Sequence, residues 1–388
     1  MNSTDEASPP SPQRPSARRR GAPLAAALLA AVGWAQANPA FDPAKPHHRP
    51  DGFQNRYTEF KPKGLLELMQ WRWDAWRNNL PPPPTQPIPT VAADRAFIDA
   101  NARAGAAMQP AVTWVGHATV LAQFGGLNVI TDPVFSQRAS PFESIGPLRA
   151  QPPALAAAEL PHIDVVLISH NHYDHLDEAS VVALNAQAGG PPLFIVPLGL
   201  KAWLAGVGIA NAVELDWWDG HKVPGGQGTQ APVEFVLTPV QHWSGRSIND
   251  RLQTLWGGFA AFAPDLHFFF AGDTGYSPDF KDIARHFAAR QGREQGGGFD
   301  IALIPIGAFE PRWFMKIQHV NPVEAVQIHR DLGAKRSLGV HWGTFELTDE
   351  PRDQPPRDLA AARKAQGVAE EDFFTLAIGE TRKLPRRP

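Results

Sequence analysis

Ser169-His170-Asn171-His172-Tyr173-Asp174-His175 sets three imidazoles and a carboxylate within six residues. Imidazole nitrogen and carboxylate oxygen are the borderline ligands that Zn2+ takes. With no Cys in the chain, any metal site must be built from them. Histidines at i and i+2 on extended backbone project to one side, so His170 and His172 can share a cation. Asp174 and His175 lie past the bend and can reach a second one. The bland alternative is a solvated His-rich loop. It leaves unexplained why the cluster follows directly on the apolar run VVLIS at 165–169, and why single ligands follow later apolar runs. His242 comes after FVLTP (235–239), Asp273 after FFFAG (268–272) and His341 after LGV (338–340). Taken singly, each of these reads equally well as a cap or a core partner. Taken together they permit His170, His172 and His242 on one cation, Asp174, His175 and His341 on the other, and Asp273 as the bridge. A bridging carboxylate keeps two cations about 3.5–4 Å apart, the spacing used for in-line displacement at phosphorus.

Such ligands need strand ends that converge. From about residue 96, short apolar runs alternate with turn residues and helical stretches. Residues 119–123 and 127–131 flank Gly125-Gly126 and read as a β-hairpin. The run at 165–169 is continuous, as in a strand buried on both faces, and 235–238, 266–271, 301–306 and 337–340 repeat the form. Helical pattern fits 178–186, 279–287 and 322–332. The mixture predicts an α/β protein with two sheets sandwiched between outer helices.

HNHYDH fits the HxHxDH signature of the metallo-β-lactamase superfamily. WVGHAT (114–119), TDPVF (131–135), ELDWW (214–218), FAGDTGY (270–276), IPIGA (304–308), EPRWFM (310–315), QHV (318–320) and HWGTF (341–345) extend the likeness. Over about residues 112–350 the chain resembles N-acylphosphatidylethanolamine-hydrolysing phospholipase D. That resemblance implies an αββα sandwich, two Zn2+ ions and the seven ligands named above. It also implies hydrolysis of N-acylphosphatidylethanolamine, a phospholipid substrate, to N-acylethanolamine and phosphatidic acid. Two zincs sharing a water lower its pKa towards about 7. The hydroxide, oriented by Asp174 or Asp273, then attacks phosphorus. Gln318 and His319 stand just before a helix start, where His319 can protonate or polarise the substrate. Arg312 can pair with phosphate. His117 and Asp132 are expected to support ligands from behind.

Three segments are expected: 1–37, 38–95 and 96–388. The first has Arg18-Arg19-Arg20, an apolar run from Ala22 to Ala35 and a small-x-small Ala35-Gln36-Ala37. That order is an export signal. It places the protein in the periplasm or cell envelope, peripheral to a membrane, or in the cytoplasm if the start codon is misassigned. Within 38–95, a helical stretch rich in Leu and Trp (60–79) ends at four prolines. It is expected to pack its apolar side on the main domain. The alternative is a helix lying against a membrane. A net charge of −3 offers no basic field for nucleic acid. A homo-oligomer is compatible with everything above. Two other functions compete: the same metals acting on a soluble phosphodiester or a lactone, and a non-catalytic envelope binding protein. The intact ligand set argues against the last.

Overall fold

The computed structural model describes residues 37–388 apart from 229, 230, 248, 293, 295 and 388. The export-like segment falls on residues outside this set, save Ala37. In chain order the strands are β1 (His48–Arg49), β2 (Gly52–Phe53), β3 (Ala111–Gly116), β4 (Thr119–Phe124), β5 (Leu127–Thr131), β6 (Val165–Leu167), β7 (Leu193–Pro197) and β8 (Ala212–Leu215). They continue as β9 (Gly220–Val223), β10 (Val233–Thr238), β11 (Gly258–Phe262), β12 (His267–Phe270), β13 (Ile301–Pro305), β14 (Ser337–Val340), β15 (Phe373–Phe374) and β16 (Thr381–Lys383). The α-helices are α1 (Leu65–Asn78), α2 (Arg95–Ala102), α3 (Glu178–Asn185), α4 (Leu200–Gly206), α5 (Asp279–His286), α6 (Arg312–Met315), α7 (Pro322–Asp331) and α8 (Gln354–Gln366).

Among the described residues, two seven-stranded sheets form, ordered β16-β3-β4-β5-β6-β7-β8 and β15-β14-β13-β12-β11-β10-β9. The first half of the chain makes one sheet and the second half the other, and β16 returns to close the first. Alternation along β6 explains the double burial read from its sequence. Val165 and Leu167 join the core between the sheets, which includes Trp114, Phe124, Phe235 and Phe268. Val166 and Ile168 face outward, into a cluster with Val181 and Leu184 of α3 and Leu200 and Leu204 of α4. On the far side, Phe280 and Ile283 of α5, Val326 and Ile328 of α7 and Leu359 of α8 cover the second sheet. The result is the expected αββα sandwich.

The expectation for α1 is corrected. It buries only Trp71 and Ala75, whereas Leu65, Leu66, Met69, Trp73 and Trp76 stay exposed. Trp71 alone makes the seat, its ring against Phe314 and its Nε1 donating to Asp349 Oδ1 at 2.9 Å.

Candidate metal centre

Strand direction explains why the ligands meet. In the first sheet, β3 and β5 are both antiparallel to β4, and β5 and β6 are parallel. In the second, β10 and β12 are both antiparallel to β11, and β12, β13 and β14 are parallel. The loops leaving β3, β5, β6, β10, β12 and β14 carry His117, Asp132, His170 to His175, His242, Asp273 and His341 in turn. Backbone bonds stitch the two sheets together at this rim: His341 N–H donates to the His117 carbonyl at 3.0 Å, and Gly257 N–H to that of Ser169 at 3.0 Å. Gly272, at φ +61, lies so close to Ser169 that a Cβ there would stand 2.6 Å from its Cβ, so only glycine fits.

All seven residues expected to bind metal come together. His170 Nε2 lies 2.8 Å from His172 Nδ1, and His242 Nε2 lies 3.3 Å from the same atom. His175 Nε2 stands 3.4 Å from Asp174 Oδ2 and 3.1 Å from His341 Nε2, which is 3.3 Å from Asp174 Oδ2. Asp273 sits between the two groups. Its oxygens are 3.1 Å from His175, 3.2 Å from His341 and 3.8 Å from His242.

The outer hydrogen bonds decide what the inner atoms offer. His242 Nδ1 meets the Gln318 carbonyl at 2.9 Å, and a carbonyl only accepts, so Nε2 keeps its lone pair. His175 Nδ1 is bound to Asp132 Oδ2 at 2.6 Å. Ser169 Oγ donates to that same oxygen and so accepts from His170 Nδ1 at 2.9 Å. Lone pairs of His170 and His242 therefore point inward, held by groups behind them, while His175 is oriented by the Asp132 carboxylate. Burial keeps His170 neutral, its pKa well below the ordinary histidine value. Burial likewise lowers His242 to about 3 and His172 to about 4. At the other group, burial opposes charge on His341, but the Asp273 and Asp174 carboxylates outweigh it and raise the group to about 9. Two buried carboxylates thus draw positive charge to that point.

These are the properties a divalent cation needs. Neighbouring ligands on a tetrahedral cation such as Zn2+, at about 2.0–2.1 Å each, stand roughly 3.3 Å apart. The contacts among Asp174, His175, His341 and Asp273 run from 3.1 to 3.4 Å. Asp273 Oδ1 is buried without a hydrogen bond, an arrangement that costs free energy unless something else satisfies it. Four non-glycine residues at the rim also hold left-handed backbone: His117 (φ 54), Asp132 (φ 33), Ala308 (φ 62) and His341 (φ 63). Each such residue costs on the order of 1–3 kcal/mol, and such strain clusters at functional sites.

Above the ligands is a cavity of about 270 Å3, lined by Tyr173, Trp243, Met315, Gln318, His319 and Leu347 among others. His319 Nδ1 is 3.9 Å from Asp273 Oδ2, and burial holds its pKa down at about 3. Its ring is therefore a neutral hydrogen-bonding group rather than an acid. Arg312, expected to face phosphate, does not reach the cavity. Its guanidinium is committed to Glu324 Oε2 at 2.8 Å and to the His319 carbonyl at 2.9 Å, so it braces the His319 loop from behind. One contribution is closer to the ligands than the supporting place expected for it, and one went unread in the sequence. His117 Nε2 lies 3.1 Å from Asp174 Oδ2 and within ligand range of His175 and His341. Asn55, from the N-terminal extension, clamps His242 through both its backbone N–H and its carbonyl, at 3.0 Å each. WVGHAT was a signal for the first; nothing local marks Asn55.

A two-sheet sandwich with a converging His/Asp constellation at its strand ends defines a metallo-hydrolase. The model of the β-lactamase superfamily domain matches residues 127–342, and the chain belongs to that superfamily. N-acyl-phosphatidylethanolamine-hydrolyzing phospholipase D 1 of Caenorhabditis elegans is 40% identical over 283 residues, 69% of this chain and 74% of the worm protein. An uncharacterized protein of Mycobacterium tuberculosis is 38% identical over 317 residues, 80% of this chain and 76% of its own. The crystal structure of isothiocyanate hydrolase from Delia radicum gut bacteria matches with a TM-score of 0.54 at 19% identity, covering 71% of this chain and 99% of that one. At that identity the likeness speaks for the fold alone.

Proposed function

We propose that this protein is a dinuclear zinc phosphodiesterase that hydrolyses N-acylphosphatidylethanolamine to N-acylethanolamine and phosphatidic acid. The observation that carries the proposal is the position of Asp273 between two ligand groups, His170/His172/His242 and Asp174/His175/His341. Zinc bound there would supply Lewis acidity and water acidified to near neutral pH. The chain's own part is orientation. Asp132, Ser169 and the Gln318 carbonyl fix the imidazoles, and His319 offers a neutral ring to a substrate oxygen at the cavity wall. In the reaction, a water oxygen bonds to phosphorus, the bond from phosphorus to the ethanolamine oxygen breaks, and that oxygen takes a proton.

Support for a lipid comes from the worm relative and from the apolar wall formed by Trp243, Met315 and Leu347. Beyond Tyr173, which borders both spaces, lies a groove of about 900 Å3 lined by Phe142, Val182 and Trp203 among others. Its other lining residues include Arg138, Glu143, Asp177, Glu178 and Arg246, so it offers room for a polar headgroup beside apolar chain. Export directed by residues 1–37 would put this activity in the cell envelope.

The test is metal content together with N-acylethanolamine release by the purified protein, with His170→Ala and Asp273→Ala as controls. About two zincs per chain and release abolished in both controls is the expected result. Zinc without lipid turnover would redirect the assignment to a soluble phosphodiester or lactone. No zinc uptake would sink the dinuclear reading.

A further inference from the structure

Helix α1 is apolar on two opposite sides. Trp71 and Ala75 face the domain. Leu65, Leu66, Met69, Trp73 and Trp76 lie within an arc of roughly 100° at 3.6 residues per turn, on the other side of the helix. Those five are 58–81% exposed. A surface helix of a soluble domain turns such a stripe inward; here the larger stripe is turned out. Charge is distributed around it in order. Arg72 and Arg77 flank the stripe on either edge, while Glu67 and Asp74 stand on the side away from it. Arginines at that flank can lay their stems along an apolar surface and keep their guanidinium groups at its polar boundary. Trp rings suit the same boundary. The helix is seated next to the metal cavity. Trp71 packs on Phe314 of α6 and bonds Asp349. α6 leads into Met315, Gln318 and His319 of the cavity wall, and Asp349 adjoins Thr348, which also lines it.

We propose that α1 is an interfacial helix that docks the protein on a phospholipid bilayer carrying anionic headgroups, with the Leu65/Leu66/Met69/Trp73/Trp76 stripe inserted and Arg72 and Arg77 at headgroup level. The occupant follows from the pattern: an apolar stripe edged by arginine, with carboxylates turned away, is complementary to a surface that is apolar within and negative at its boundary. No described helix is long and apolar enough to cross a membrane, so α1 lies in the plane of the surface. The inference stands on α1 and its surroundings, not on the identity of the substrate, and binding is read without turnover.

The experiment compares the full chain with Leu66→Glu/Met69→Glu/Trp73→Glu and with Arg72→Glu/Arg77→Glu. Each is mixed with vesicles of phosphatidylcholine containing phosphatidylglycerol, or of phosphatidylcholine alone. Cosedimentation gives the partition, and hydrogen–deuterium exchange reports on 65–78 directly. Leu66, Met69, Trp73 and Arg77 are exposed, and Arg72 is exposed with its guanidinium 5.8 Å from the centre of the Trp71 ring, so metal content and circular dichroism serve as folding controls. The triple variant is expected to partition at least about tenfold more weakly on either vesicle. The arginine variant should lose several-fold on the anionic vesicles only, and wild-type exchange in 65–78 should slow when vesicles are added. Equal partition of wild type and triple variant, or exchange in 65–78 unchanged by vesicles, overturns the proposal. So does a wild-type dimer in free solution that becomes a monomer in the triple variant, which would give the stripe to a second copy of the chain.

Discussion

Two buried knots of histidine and aspartate lie in this molecule. His47, His48 and Asp216 bring potential ligand atoms as close together as His170, His172 and His242 do. In the first knot every inward atom is spent. His47 and His48 reach the two oxygens of Asp216 at 2.7 and 2.9 Å, and His48 Nδ1 lies 2.9 Å from the Ala40 carbonyl. The Lys45 ammonium, 2.5 Å from Asp216, already occupies the place of a cation. In the second knot the outer nitrogens of His170 and His242 are tied to protein, and the inner ones converge with His172 Nδ1, 2.8 and 3.3 Å from them, on one point. Closeness of ligands is therefore a poor mark of a metal centre; uncommitted lone pairs converging on one point are a better one. The first knot is a clamp that fastens the N-terminal extension to the turn after β8.

The largest effect that can test this contrast is loss of the metals. His170→Ala or Asp273→Ala should release bound metal and lower turnover on the order of 10³-fold or more, read by metal analysis beside product release. Asp216→Ala should do the reverse: metal stoichiometry unchanged, but stability down by about 1–3 kcal/mol in urea, because two buried imidazoles lose their acceptor. If that variant loses a metal equivalent, the two knots are not different in kind. His319→Gln should lower kcat by about 10²-fold with metal content intact, through a misplaced hydrogen bond to the substrate oxygen; an unchanged kcat would move His319 out of the reaction. Asp132→Asn removes the charge behind His175 and one of the two acceptor oxygens that Ser169 and His175 share, and should weaken metal affinity about 10–100-fold in a competition with a chelator.

The smallest effect is pH dependence at the clamp. Burial opposes charge on Asp216, but its hydrogen bonds to His47 and Lys45 outweigh that and hold its carboxyl below the usual range. A folded pKa depressed below the unfolded value near about 3.9 contributes stability at neutral pH. That contribution is lost as pH falls through the carboxylate range. Acid unfolding of Asp216→Asn should therefore be shallower than that of wild type; identical acid limbs would deny the clamp its electrostatic part.

Much of the centre was legible locally because its ligands sit where apolar runs stop. A strand end is visible in one dimension, and HNHYDH declares its chemistry without help. The hairpin around Gly125-Gly126 and the strand at 337–340 were readable for the same reason. What stayed hidden depends on partners far along the chain. Arg312 looks like a phosphate group's partner until Glu324 and the His319 carbonyl claim it. Asn55 acquires its role only by meeting His242, 187 residues away. The face of α1 turned to solvent could not be told from the face turned to the core, since both are apolar and periodicity alone has no outside.

The sequence by itself determined the ligand types, the strand ends that carry them and the sandwich that follows from short continuous apolar runs mixed with helical stretches. Only the tertiary structure decided which histidines keep an open lone pair, which arginine is free for a substrate and which side of α1 faces water. Those are questions of who stands behind each side chain. A hydrogen-bond partner or a neighbouring wall is supplied by chain distant in sequence, and it exists only once the two sheets have closed.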